Sequence, residues 1–192
     1  VFTPDDIMDG TLPDGPTIVF DQDNYYMGGV IAERVLQEGH EVTYVTEADS
    51  VSSWAGNTSE RWRVRSHMTR LGIKIETAHS LTHFDGETAT LECGYGGGTR
   101  EVPVTNVVLV TSRAPNDALY HEILDYAGDE PLPFTLTRIG DAEAPAIIAA
   151  AVYAGHRYAR ELDTEIDIDV PLMHDRVDVG AQPGVVAPAR WK

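Results

Sequence analysis

Asp21 and Asp23 follow directly on the apolar run Thr17-Ile-Val-Phe20 and stand just ahead of Gly28-Gly29. Two carboxylates at the end of a buried strand suit two different chemistries. In one, the first carboxylate attacks phosphorus and the second acts as acid and base beside a magnesium ion. Thr46, Lys74 and Asp141 would then fill the remaining places. In the other, the turn from strand to helix is a place for a pyrophosphate. That place needs glycine where the chain turns and where the backbone closes on the ligand. Here only the region of the third glycine is kept, at Gly28 and Gly29. The loop carries two negative charges and no cation, so a nucleotide site of this kind is expected to be lost.

The elements that position this loop follow from periodicity. Thr17 to Phe20 suits a buried parallel strand. Gly28 to Glu38 places Val30, Ile31, Val35 and Leu36 on one helical face, with Gly39 at its end. Glu41 to Val45 alternates as a second strand. A helix capped by Asn57 or Thr58 runs to Leu71, carrying Trp62, Met68 and Leu71 inward. Ile73 to Glu76, Ser80 to Phe84, Thr88 to Glu92 and Arg100 to Val104 then predict a β-meander with turns at Asp85-Gly86 and Gly94 to Gly98. Val107 to Thr111 returns as a buried strand, and a short helix follows from Asp117 to Tyr126. Phe134 to Ile139 predicts another strand. Gly140 to Pro145 opens a long helix with Pro145 in its first turn and Ile147, Ile148, Ala151 and Val152 on its packing side.

Composition narrows the function classes. The chain has 192 residues with 31 Asp and Glu against 14 Lys and Arg, a formal net charge of -17. Such a field argues against nucleic acid and against anionic membranes as partners. It is the charge expected of a solvated acidic surface, for which a salt-rich cytoplasm is one setting. The single cysteine, Cys93, cannot build a disulfide framework, a thiolate zinc site or an iron–sulfur cluster by itself. A reducing, cytoplasmic location is the simplest expectation. Most other chemistry-bearing side chains carry structural readings. His40 and His156 stand beside helix ends, and His121-Glu122 lacks the second histidine of a zinc helix. Trp54 and Trp62 read as packing residues. Glu47 and Asp49 follow the second strand where a nucleotide ribose would be held, but without the glycines they say little.

Short motifs stand in chain order: Asp21-x-Asp23-x-Tyr25-x-x-Gly28, then Thr111-x-Arg113-x-Pro115-Asn116, then Ile139-Gly-Asp141 before a helix rich in small residues. Together they resemble the second half of the two-dinucleotide-domain flavoproteins of the glutathione-reductase-like class. With Thr3-Pro-Asp-Asp-Ile-Met-Asp-Gly10, Ala32-Glu33, Gly39-His-Glu-Val-Thr43, Leu109-Val-Thr-x-Arg113 and Gly155-His-Arg157, the chain is similar to the C-terminal region of the trimethylamine dehydrogenase family, which includes dimethylamine and histamine dehydrogenases. The likeness covers roughly residues 1 to 162.

The resemblance implies an α/β fold: a Rossmann-like three-layer domain of the dinucleotide-binding type with an inserted β-meander, plus a returning segment of an FAD/ADP-binding-type domain. It divides the chain into a linker over 1–14, a small NAD(P)H-binding-like domain over 15–112, the returning segment over 113–165 and an irregular tail over 166–192. In the family, an FMN-bearing barrel and a four-iron–four-sulfur cluster carry the amine oxidation, so no catalytic residue, no cofactor and no metal is expected in this stretch itself. Gly140, Asp141 and Ala142 match the turn that faces the pyrophosphate and ribityl part of FAD, a pocket that holds ADP in these enzymes; the structural reading of Asp141 is a cap for the next helix. Gly28 and Gly29 match the third fingerprint glycine, with close packing as their structural reading. The implied partners are the N-terminal FMN barrel of the same polypeptide, an electron-transfer protein, and further copies of the whole enzyme. A second likeness stays open: Phe20-Asp-Gln-Asp23 also resembles the Asp-x-Asp loop of the haloacid-dehalogenase superfamily, which would make the chain a magnesium-dependent phosphohydrolase using Asp21 and Asp23.

Overall fold

The computed structural model describes residues 1–162. It is a mixed α/β structure with one parallel and one antiparallel sheet. Residues 1–113 form one compact unit, and the chain from residue 114 belongs to a second.

The first unit is built on four parallel strands: β1 (Thr17–Asp21), β2 (Val42–Thr46), β3 (Lys74–Glu76) and β7 (Asn106–Val110), in the order β3-β2-β1-β7. Val19 of β1 lies between Tyr44 of β2 and Val108 of β7. Every residue of β1 and β2 is buried. Both strands are covered on both faces, so β2 does not alternate as its sequence suggests, and its Thr43 and Thr46 are buried with the rest.

One face of the sheet is covered by α1 (Pro4–Met8), α2 (Met27–Leu36) and α3 (Arg61–Arg70), which contribute Ile7, Ile31, Ala32, Val35 and Met68 to a common core. The other face is covered by an antiparallel sheet of β4 (His79–Phe84), β5 (Thr88–Cys93) and β6 (Thr99–Pro103), whose Ala89 and Leu91 pack with Ile18, Phe20 and Val107. The meander therefore has three strands. The first of the four short strands read from the sequence, β3, pairs with β2 in the parallel sheet instead, because Gly72 ends α3 beside the free edge of β2.

The expected linker at 1–14 is part of this unit. Thr3 and Asp6 close a capping box on α1, Ile7 is buried in the core, and Phe2 bridges to Val108. Three inward assignments are also corrected. Val30, Trp54 and Trp62 are exposed, at 51%, 62% and 70%. α3 begins only at Arg61, after a short 3-10 helix, Ser53–Gly56, and a turn over 57–59, and Trp62 in its first turn faces outward. Thr58 does not cap α3; its hydroxyl donates to the Ala55 carbonyl.

In the second unit, α4 (Ala118–Ala127) lies where the sequence places it. Residues 134–139 form no strand: no neighbouring strand among the described residues offers them a ladder. A 3-10 turn, Gly140–Ala142, precedes α5 (Ile148–Glu161), so Pro145 lies ahead of the helix rather than in its first turn. Neither α4 nor α5 buries a residue completely, and Ile148 and Val152 are exposed. The expected tail over 166–192 lies outside the described residues.

Candidate functional site

The strand order sets a topological switch point at the carboxyl ends of β1 and β7, where the chain leaves β1 toward β2 on one side and returns as β7 on the other. Ligands of open α/β sheets bind at such a switch point. Asp21 is the last residue of β1 and its side chain is fully buried. Its carboxylate accepts a hydrogen bond from the Tyr44 hydroxyl and another, of 3.1 Å, from the Asn24 N–H. Tyr44 is itself completely buried on the neighbouring strand. Burial pushes the Asp21 carboxyl above the usual carboxylate value, and the bonds from Tyr44 and Asn24 offset this only in part. Burial and the facing Asp21 also push the Tyr44 hydroxyl far up, so it stays a donor.

Gly28 explains where the carboxylate lies. A β-carbon placed on Gly28 would sit 2.5 Å from Cγ of Asp21. The missing side chain in the first turn of α2 therefore makes room for a carboxylate of the chain itself, at the helix end that attracts anions. Gly29 is different: a β-carbon there would meet Val64 and Met68 at 3.5 and 3.6 Å, ordinary contact, so the packing of α2 on α3 would admit a methyl group at this position.

The loop between β1 and α2 is tied down from all sides. Asn24 adopts a left-handed conformation with φ of 57°. Its side-chain oxygen accepts from the Thr46 hydroxyl, and its carbonyl accepts from the Trp54 N–H. The N–H groups of Gln22 and Asp23 donate to the Val110 carbonyl at 2.8 and 3.3 Å. Asp23 pairs with Arg113, 3.2 Å away, beyond the carboxyl ends of β1 and β7. The cation that the loop itself lacks is thus supplied from the end of β7. Glu47 accepts from Gln22 Nε2 and from the Ser80 hydroxyl, which joins the loop to the meander.

Of the residues singled out in the sequence, the fold brings together Asp21, Asp23, Gly28, Thr46, Glu47 and Arg113. Tyr44 was missed. Its signal was a tyrosine in the middle of an apolar strand, a residue whose hydroxyl needs a partner when buried. Lys74 stands apart, paired with Glu41 at 2.9 Å. Asp141 belongs to the second unit, where its Oδ1 accepts from the Ala146 N–H at 3.3 Å just ahead of α5, and Gly140 has φ of +59°.

This arrangement lends no support to phosphoryl transfer. Asp21 is enclosed and bonded, Asp23 is paired with a guanidinium, and no group of three or more His, Cys, Asp or Glu among the described residues is placed to hold a metal ion. No helix among the described residues is long and apolar enough to cross a membrane.

Comparison with known proteins agrees with the resemblance carried by the motifs. The pattern of the OYE-like second alpha/beta domain family matches residues 2–120. Dimethylamine dehydrogenase of Hyphomicrobium sp. (strain x) is 29% identical over 184 residues, covering 85% of this chain and 25% of that protein. Histamine dehydrogenase from Rhizobium sp. 4-9 superposes with a TM-score of 0.76 at 37% identity, covering 89% of this chain and 27% of that one. The 6-hydroxypseudooxynicotine amine oxidase of Pseudomonas geniculata N1 gives a TM-score of 0.76 at 36% identity over 85% of this chain and 24% of that one. The chain spans about a quarter of the length of these relatives.

Proposed function

We propose, from the premise that this chain belongs to the OYE-like second alpha/beta domain family, that it is a non-catalytic scaffold of a trimethylamine dehydrogenase-like oxidoreductase and no longer binds a nicotinamide dinucleotide. The observation that carries the reading is the Asp21 carboxylate seated against Gly28 and fastened by Tyr44, because it fills the helix end on which a pyrophosphate would rest. Both charge and volume oppose the ligand there. In the whole enzyme, amine oxidation would take place at FMN in an N-terminal barrel of the same polypeptide. Electrons would leave through a four-iron–four-sulfur cluster to a carrier protein rather than to a nicotinamide. This chain, with Cys93 alone, does not supply the cluster's ligands.

On this reading residues 15–112 are the NAD(P)H-domain relic, and 113–165 the return of an FAD/ADP-type domain. Gly140, Asp141 and Ala142 border ADP in the whole enzyme, while Gly28 and Gly29 stand without a ligand. The enzyme is a cytoplasmic homo-oligomer, and its substrate is a small amine, the chemistry shared by the names of its relatives.

Calorimetric titration of the chain with NADH tests the lost site. No heat of binding is expected, and a dissociation constant in the low micromolar range would overturn the reading. In the whole enzyme, Asp141→Ala is expected to lower the ADP retained through purification; an unchanged ADP content would remove Asp141 from that pocket.

A further inference from the structure

The cations of the first unit are sorted. Among the described residues Arg34, Lys74, Arg100 and Arg113 each pair with a carboxylate. Arg61, Arg63, Arg65 and Arg70 of α3 pair with none, although acidic residues outnumber basic ones by 31 to 14 over the chain. Arg61 and Arg70 reach only the serine hydroxyls of Ser50 and Ser66. The exposed Trp62 stands among these arginines, and an open groove of about 540 Å³ runs between α3 and α2, lined in part by Val30, Val64 and Met68.

The complementary surface is on the same layer of helices. α1, α2 and α3 cover one face of the parallel sheet, with α2 between the other two. α1 exposes Asp5 and Asp9, neither in an ion pair among the described residues, around Met8, which is 65% exposed. Acidic and apolar α1 therefore borders one side of α2, and basic and aromatic α3 the other. Val30, half exposed, stands on the outer face between them.

We propose that this helical layer docks against the same layer of a second copy of the chain, about a two-fold axis passing near Val30 of α2. That operation sets α3 of each copy opposite α1 of the other, so the charge match is made twice and the contact is isologous, as in the commonest symmetric dimers. Trp62 and Met8 supply apolar contact where the unpaired arginines meet Asp5 and Asp9. The net charge of -17 opposes the approach of two copies at low ionic strength. At physiological salt, where the screening length is about 8 Å, the facing residues decide the outcome. The proposal is independent of the nucleotide-site reading.

Sedimentation velocity of the whole chain across the micromolar range tests it. Concentration-dependent dimerisation is expected, strongest at physiological salt and weakened at molar salt. Arg63→Glu with Arg65→Glu is expected to weaken it by about tenfold or more, since like charges then face each other. Asp5→Arg with Asp9→Arg, added to that variant, is expected to restore it. Both pairs lie on the surface, and circular dichroism checks that each variant folds. A chain that stays monomeric overturns the proposal. So does a dimer indifferent to the α3 reversal or strengthened by molar salt, which would assign the contact to other apolar surface. Association of the wild type with duplex DNA in place of itself would make α3 a phosphate-binding face and overturn it equally.

Discussion

Three separate facts meet on Asp21: complete burial, the Tyr44 hydroxyl, and the glycine that clears its place. Gly28→Ala must push the carboxylate out of position and is expected to destabilise the chain by about 1–3 kcal/mol, as overpacking does. Urea unfolding of Gly28→Ala, Asp21→Ala and the double variant checks this; the double should lose less than the sum, since the clash needs both side chains. The pH dependence has a defined sign. The Asp21 carboxyl titrates higher in the folded state, so between the unfolded and the folded value the folded state holds the extra proton. Stability from this group is therefore complete below the unfolded value and is lost as pH rises through the folded one. The stability of Asp21→Asn relative to wild type is expected to grow with pH through the acid range and then level off, measured by urea unfolding at stepped pH. A shrinking difference would mean that the site favours the anion. At this scale the sequence was legible in part. Two aspartates and a glycine were visible in the loop. Their pairing with Tyr44 of β2 and with Arg113, which follows β7 and was read only as part of a motif, was not visible, because only the pairing of β1 with β2 and β7 sets both beside the loop.

Elements built on local periodicity were read well, and those that depend on a neighbour were read poorly. α2, α4 and the parallel strands stand close to where their apolar pattern puts them. β3 was assigned to the meander because a short apolar run says nothing about which sheet it joins. Residues 134–139 have a strand-like pattern and no strand, since β structure requires a second chain segment to accept its ladder. α4 and α5 illustrate the same dependence. Each has a helical stripe of apolar residues, yet Leu119, Tyr126, Ile148 and Tyr153 are exposed. Helices of this length draw most of their stability from burial of such a stripe. In this chain alone, the amides of α4 and α5 are expected to exchange with deuterium nearly as fast as an unstructured peptide, while those of β1, β2 and β7 are the slowest. Hydrogen-exchange mass spectrometry decides it. Strong protection of α4 would mean that its exposed apolar face is covered in solution.

At the scale of the whole molecule, the excess of 17 negative charges sets the behaviour. In dilute buffer the screening length is about 30 Å at 0.01 M, so carboxylates repel across the whole folded surface; at 1 M it is about 3 Å and only adjacent ones still do. The midpoint of thermal unfolding is therefore expected to rise with KCl into the molar range, beyond the point at which a balanced protein levels off. A calorimetric scan from low to multimolar KCl measures this, and a flat or falling midpoint would mean that the acidic residues are compensated locally. Composition alone made this expectation available. Where the few cations are spent was hidden until the fold paired Arg34, Lys74, Arg100 and Arg113 and left the arginines of α3 without ion pairs among the described residues.

The contact between Asp21 and Gly28 also constrains the order in which substitutions can accumulate. While Asp21 is present, position 28 accepts no side chain, so the glycine is held in place by a carboxylate of the chain itself. Any change at position 28 has to pass through Asp21 first. Shortening it first strands the buried Tyr44 hydroxyl without its acceptor, at a cost of about 1–3 kcal/mol. Replacing Tyr44 first leaves a buried carboxyl short of its main donor. Each single step is expected to cost stability, so Asp21, Tyr44 and Gly28 resist change one at a time.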